Sequence, residues 1–335
     1  MNIYSQIVET NQKIIDLELS NSYDQESEMK EYITEFNIPD KATYTIKINY
    51  APGIYIQKSE IISQQSITED FLTTGSHIRF FFYLKGHSKV QRGAGNMNYS
   101  HSAGMFQRNY LNENGGGSLI KIPKKDHIEY VVIKLSKRFY VELLKTECWI
   151  DKDSFHQYII SSEPENRPNE TYFLDLHALQ ILDRLINNEY HGEYKYHFTR
   201  LKLRELIFHL RQLIEFGPAQ NKAHTDLDDT LEKVRAYLIV HLDSPANTQQ
   251  LAKMFNVNEK TLAKAFKAKY GCTIYAYVIE SRMQKAKELI LEHYNVSELA
   301  MLLGYQSISH FIKVFKNYHG CTPKEALNRF AEIDV

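Results

Sequence analysis

The sequence predicts an α+β protein, with an N-terminal antiparallel β domain and flanking helices followed by an all-α domain holding two helix-turn-helix units. Three observations carry this. Between Ala42 and Leu135, apolar residues alternate with polar ones and glycines fall at about hairpin intervals. From Tyr172 to Phe216 the apolar period becomes helical. In the last third of the chain a set of residues recurs at a constant offset of 49.

Residues 1–36 carry Ile3, Ile7, Ile14, Ile15 and Leu19 at roughly helical spacing and then turn acidic, so a helix and a loose loop are expected there. Tyr44, Ile46 and Ile48 alternate with polar neighbours, as do Ile54 and Ile56. Ile78 to Leu84 and Tyr130 to Leu135 are near-continuous runs of β-prone residues. Gly75, Gly86, Gly93, Gly95, Gly104 and Gly115-Gly116-Gly117 punctuate these runs, which implies a sandwich or small barrel. Ser136 is suited to open a helix running to Lys145. Leu174, Ala178, Ile181, Leu182, Leu185 and Ile186 form one helical stripe, and Leu203, Leu206, Ile207, Leu210, Leu213 and Ile214 form the next. Such stripes must be buried, either on the β domain or on a second copy of the chain. The polar, breaker-rich stretch from Gly217 to Thr225 places a linker at 217–229, between an N-terminal domain at 1–216 and a C-terminal domain at 230–335. Asp229-Thr230 is expected to cap the next helix.

The repeat sets Lys264-Ala-Phe266-Lys267 and Gly271-Cys272-Thr273 against Lys313-Val-Phe315-Lys316 and Gly320-Cys321-Thr322. Upstream, Leu251-Ala252 and Leu299-Ala300 match at an offset of 48, so one residue has been added between helix and helix. Each copy reads as a short helix, a tight turn and a longer helix ending at glycine, a unit whose second helix can lie in a DNA major groove. Ala252 and Ala300 are small where two helices cross. Gly304 can supply the positive φ of a tight turn, Asn258 and Ser307 are N-cap types, and Gly271 and Gly320 suit an αL helix stop. Leu262, Ala265, Phe266 and Phe311, Val314, Phe315 make one apolar stripe per copy, and the four lysines fall off it.

At 335 residues the chain can bury two cores. Its net charge of −1 does not argue against nucleic acid, because distribution decides: Asn258 to Lys287 holds seven basic residues against two acidic ones. Cys148, Cys272 and Cys321 are too far apart for a metal-ligand pattern or a disulfide framework, and the last two are expected to be small buried residues. Met1 to Glu9 lacks the basic start and apolar run of a signal peptide, and no segment reaches membrane-spanning length. A cytoplasmic protein without membrane partners is expected.

Residues Leu231 to about Phe330 resemble the DNA-binding domain of AraC-type transcription regulators. The matching residues are Leu251-Ala252, Leu262 with Phe266-Lys267, Gly271, Tyr277-Val278, Arg282 with Ala286 and Leu289-Ile290, Val296 with Leu299-Ala300, Gly304-Tyr305, Phe311 with Phe315-Lys316, and Gly320 with Thr322-Pro323. Tyr305 replaces a more usual Phe. Ala263 and Ser309 stand where longer polar side chains are common, so base preference does not carry over. More faintly, Phe82-Tyr-Leu84-x-Gly86, Ile122-Pro123, Ile128-x-Tyr130 and the Leu176–Leu185 helix are similar to the cupin-like sensor half of that family, in the branch related to siderophore-responsive regulators.

The resemblance implies a regulator that binds double-stranded DNA under the control of a small-molecule effector, as a homodimer and in contact with RNA polymerase. In the first unit Asn258, Lys260, Thr261 and Lys264 are the expected groove-facing set; in the second, Ser307, Ser309, His310 and Lys313. Lysine there can meet guanine O6/N7 or phosphate. Lys267 and Lys316 are expected at phosphate, and Arg282 is expected to be a structural residue. In the N-terminal half Phe80, Phe82, Tyr83, Tyr99, Phe106 and Tyr110 are candidates to line an effector cavity, with Phe80 and Phe82 inward and Phe81 opposite. Arg79 or Arg92 could answer an anionic ligand. Two other classes compete. A cupin enzyme would need a ligand set, whereas His77, His87, His101 and His127 are scattered, with no His-x-His pair, so no metal and no cofactor is expected. A DNA architectural protein has no use for a β-rich domain of this size. A fragment from Asp226 to Val335 should fold alone and bind DNA weakly; a fragment that binds no DNA at low salt would contradict the assignment of the reader.

Overall fold

The two-sided burial of its strands sets the architecture of the N-terminal half. The computed structural model describes all residues except 25, 93–96, 112–115, 162–170, 217–225, 292–293 and 332–335; at some further positions, Arg92, Tyr99 and Asp229 among them, only the backbone is described. The chain divides into two units, Met1–Lys222 and Ala223–Val335.

The first unit opens with strands β1 (Asn2–Ile7), β2 (Gln12–Glu18), β3 (Lys30–Ile38), β4 (Ala42–Ala51), β5 (Ile54–Ser63), β6 (Ile67–Thr74), β7 (His77–Lys85) and β8 (His87–Arg92). It continues with β9 (Met97–Ser102), β10 (Met105–Leu111), β11 (Gly116–Ile122) and β12 (His127–Ser136). Helix α1 (Lys137–Leu144), a 3₁₀ turn and α2 (Ser154–Ser161) follow, then β13 (Thr171–Phe173), α3 (Leu176–Ile186) and α4 (Gly192–Phe216). All described pairings are antiparallel, in one sheet ordered β2-β1-β6-β11-β8-β9 and another ordered β13-β10-β7-β12-β5-β4-β3. One core, with Ile3, Phe71, Phe81, Tyr83 and Tyr130, draws on both sheets. The other lies between the seven-stranded sheet and the helices, and holds Phe80, Phe82, Phe106, Leu143, Ile181 and Leu206. The result is the expected antiparallel β domain, here a two-sheet sandwich with its helices laid on the outer face of the seven-stranded sheet.

The N-terminal helix is not formed. Residues 2–18 make a hairpin turning through Asn11 at φ +54°, and β3 occupies the expected loop. Ile3 and Ile7 stand four apart, a spacing that fits both helical and period-two patterns; the buried Ser5 between them marks the strand. Gly75, Gly86 and Gly104 do turn the chain at positive φ, whereas Gly116 and Gly117 begin β11. Ser136 caps α1 by accepting from the Phe139 N–H at 3.1 Å.

The α3 stripe is spent on the protein's own sheet. Leu174, Ala178, Ile181, Leu182, Leu185 and Ile186 are all buried in the helix-facing core, so pairing of two chains through this stripe is excluded. Leu182→Ala should therefore lower stability by about 2–5 kcal/mol through the cavity it leaves. Urea unfolding measures this; an unchanged midpoint with a shifted oligomeric state would contradict the packing.

Candidate functional site

In the second unit the helices are α5 (Asp226–Val240), α6 (Thr248–Met254), α7 (Glu259–Tyr270), α8 (Ile274–Leu291), α9 (Val296–Leu302), α10 (Ile308–His319) and α11 (Pro323–Ala331). Helix α5 starts three residues before the expected Asp229-Thr230 cap, so part of the expected linker is helical. Pairs α6–α7 and α9–α10 are the two helix-turn-helix units. Local chemistry fixes each boundary. Asn247 and Asn295 cap the short helices in reciprocal boxes with Gln250 and Glu298. The Asn258 carboxamide oxygen accepts from the Lys260 and Thr261 N–H groups, and the Ser307 hydroxyl accepts from His310. Gly271 and Gly320 stop the long helices, both at φ +77°.

The change of offset from 49 to 48 lies in the turns. Four residues (255–258) separate α6 from α7, and five (303–307) separate α9 from α10. Asn256 at φ +51° and Gly304 at φ +72° hold equivalent αL positions. Glycine is required at the second: a Cβ on Gly304 would lie 1.7 Å from the Asp243 carbonyl oxygen. Arg282 of α8 reaches the same segment. Its Nε donates to the Leu242 carbonyl at 2.7 Å, its Nη2 to the Asp243 carbonyl at 3.4 Å, and its guanidinium lies 5.0 Å from the Tyr305 ring centroid. Arg282 is thus structural and 9% exposed. The stripe residues Leu262, Phe266, Phe311 and Phe315 are buried.

The side chains Asn258, Lys260, Thr261, Lys264 and Lys267 are exposed, as are Ser307, Ser309, His310, Lys313 and Lys316. At 100° per residue, Lys260, Lys264 and Lys267 share one face of α7, opposite Leu262 and Phe266. Ser309, Lys313 and Lys316 share the equivalent face of α10. Among the described residues Lys264 and Lys313 make no ion pair. Lys269, by contrast, bonds Glu232 at 3.0 Å and is withdrawn from that face. Burial opposes ionisation of Glu232, but Arg235 and Lys269 hold its carboxyl below the ordinary range. Cys272 and Cys321 are half-buried rather than buried.

The first unit holds a narrow cavity of about 30 Å³ between its two sheets. The expected lining is largely misplaced. Phe80, Phe82 and Phe106 face the helices, and Tyr110 is half-buried on the same side, edge-on to Tyr158 at 6.0 Å. The sheet has two buried faces, so inward has two meanings, and it is Phe81 that meets the cavity. The Tyr99 and Arg92 side chains lie outside the described residues. Arg79 lines the cavity, with Lys134, His101 and Gln107. A readable signal for Lys134 was a lysine inside Val131-Val-Ile-Lys-Leu135, a strand buried on both faces. Of the other histidines, His77 bonds the Gly75 carbonyl oxygen at 2.7 Å and His127 bonds Glu60 at 2.6 Å. No group of three or more His, Cys, Asp or Glu among the described residues could hold a metal ion, and none of their helices is long and apolar enough to cross a membrane.

Comparison with known proteins places the reader. A family model described as a helix-turn-helix domain matches residues 251–329. Transcriptional activator AggR of Escherichia coli is 34% identical over 100 residues, which are 30% of this chain and 37% of that protein. The Xylose operon regulatory protein of Escherichia coli strain K12 is 24% identical over 157 residues, 47% of this chain and 37% of that one. The chain thus spans little more than a third of the length of these relatives. Wild-type ToxT of Vibrio cholerae strain SCE256, solved with unsaturated fatty acid bound, aligns over 82% of this chain and 94% of its own at 16% identity and a TM-score of 0.35. The family match lies within the second unit, so it bears on the reader and not on the siderophore-responsive branch. Gly304→Ala should cost this unit more than about 3 kcal/mol, since a backbone carbonyl blocks the added carbon; a loss under about 0.5 kcal/mol in urea unfolding would contradict the close approach. The paired units, their caps and these matches identify residues 251–329 as a helix-turn-helix domain of the AraC type.

Proposed function

We propose that the protein is a cytoplasmic, sequence-specific DNA-binding transcription regulator whose N-terminal domain binds a small molecule that controls it. One observation carries the reading. Two equivalent helices, α7 and α10, each expose a polar face at matched positions, and the 18-residue helix α8 joins their units. At 1.5 Å per residue α8 is about 27 Å long, which suits two readers about one DNA turn, roughly 34 Å, apart. Asn258, Lys260, Thr261 and Lys264 would enter one groove and Ser307, Ser309, His310 and Lys313 the next, with Lys267 and Lys316 at phosphates. The similar proteins named above as a transcriptional activator and an operon regulator support this class. Contact with RNA polymerase and a homodimer belong to the proposal; the dimer would use a surface other than the buried α3 stripe.

Lys264→Ala and Lys313→Ala should each weaken specific binding by about 1–3 kcal/mol if they meet base edges. The base pairs affected should differ between the two variants. A lysine that meets only phosphate would instead weaken all sequences alike and lower the salt slope by about one. Electrophoretic titrations against a panel of single-base-pair operator variants separate these outcomes. Unchanged affinity for both variants would contradict the reading.

A further inference from the structure

The seven-stranded sheet ends on a long open strand. Of the four outer strands of the two sheets β3 is the longest, with nine residues against seven in β2, six in β9 and three in β13. Among the described residues it pairs only with β4. Long unpaired edges invite a further strand, and proteins blunt them with proline, a bulge or charge. Strand β3 has no proline and no shift of register against β4. Its Glu31 carboxylate is already paired, with Lys47 at 3.4 Å and with Lys195. The strand exposes two apolar side chains instead, Tyr32 at 53% and Ile33 at 58%, one on each face of the sheet.

One neighbour fixes which backbone groups are open. Just before the strand, the Met29 N–H leaves the edge and donates to the Gly192 carbonyl at 3.2 Å. By alternation Glu31, Ile33, Glu35 and Asn37 turn their N–H and C=O groups off the same edge, and the even-numbered residues bond β4. The sequence of the strand selects what can pair there. Lys30–Ile38 is centred on Thr34, with an aromatic residue, Tyr32 or Phe36, two places to either side. Pairing with β3 of a second copy about a two-fold axis at Thr34 sets Tyr32 opposite Phe36 on one face and Ile33 opposite Glu35 on the other. Glu31 then meets Asn37 and Lys30 meets Ile38, so every residue is paired and no like charges are opposed. The neighbouring registers that keep each side chain on its own face fail on charge. A slip of two residues one way puts Glu31 opposite Glu35, and the other way sets two copies of Glu35 against each other.

We propose that β3 is the homodimer interface: two chains pair their β3 strands antiparallel about Thr34 and join their seven-stranded sheets into one. The inference rests on the homodimer in the reading above and names its surface. The Tyr32–Phe36 pair forms twice, once on each side of the axis, and the open backbone groups exchange hydrogen bonds across it. Each β3 edge is used up by the other, so assembly through this surface closes at two chains.

Sedimentation and disulfide trapping of the full chain test this. At tens of micromolar the chain should sediment as a dimer. In a Cys148→Ser background, which removes an exposed native thiol, Thr34→Cys should give a covalent dimer under mild oxidation. Residues opposed in a non-hydrogen-bonded pair have Cα atoms about 4.5 Å apart, within disulfide reach. Asn37→Cys should not, because its two copies lie about 20 Å apart along the paired strands. Ile33→Glu opposes Glu35 of the second copy and should weaken the dimer at least about tenfold; adding Glu35→Lys should restore it. Ile33 is exposed in the single chain, so circular dichroism should show this variant folded. A monomer would overturn the interface together with the homodimer reading. A dimer that Thr34→Cys fails to trap, that Asn37→Cys traps equally, that withstands Ile33→Glu or that Glu35→Lys does not restore would overturn the interface alone.

Discussion

The segment Leu242–Asp243 is the joint on which the DNA reader depends. Its carbonyls accept from Arg282, in the middle of α8, and its backbone lies where any side chain on Gly304 would have to go. The chain leaving α5 is thereby tied both to the shaft between the two units and to the turn of the second one. The Arg282 guanidinium also covers Tyr305, which packs in the core of that unit with Met283, Leu299, Phe311 and Phe315. A buried guanidinium bonded to backbone carbonyls is worth more than a surface pair, because leaving either side unpaired carries a desolvation cost. The consequence for function is geometric. The second hairpin, which packs on α8 through Met283 and Ala286, is thereby also held to the start of the domain.

The first unit is fastened in a different way. Glu232 of α5 gathers Arg235, Lys269 and the Tyr270 hydroxyl, each at 3.0 Å, and so pins the end of α7. That network explains which lysine is withheld from the exposed face. Lys264 and Lys267 lie on the helix side away from Leu262 and Phe266, whereas Lys269 turns back toward α5. The domain thus sorts its basic residues into those that build it and those that remain available to a polyanion.

Most of the reader was legible in the sequence because its signals are local. Caps, αL glycines and i, i+4 stripes each fix structure within a few residues, and the repeat supplied a second copy of every inference. The added residue between helices proved to be one extra turn residue, and Arg282 proved structural. The N-terminal half was less legible because its decisive facts are long-range. Ile3 and Ile7 fit two periodicities, and only their pairing with β2 and β6 makes them strand residues. Phe80 and Phe82 were correctly separated from Phe81, but alternation alone cannot say which buried face borders a cavity and which borders helices. The row that places Arg79 beside Lys134 depends on register between β7 and β12, strands far apart in sequence. The α3 stripe was readable as buried, but not what buries it.

In the proposed arrangement one chain places two readers in successive grooves on one side of DNA. Hydroxyl-radical footprinting of the full chain on its operator tests this most directly. Two protected tracts are expected on the same face of the duplex, with centres about 10 base pairs apart. A single tract confined to one groove, or two tracts on opposite faces, would contradict it.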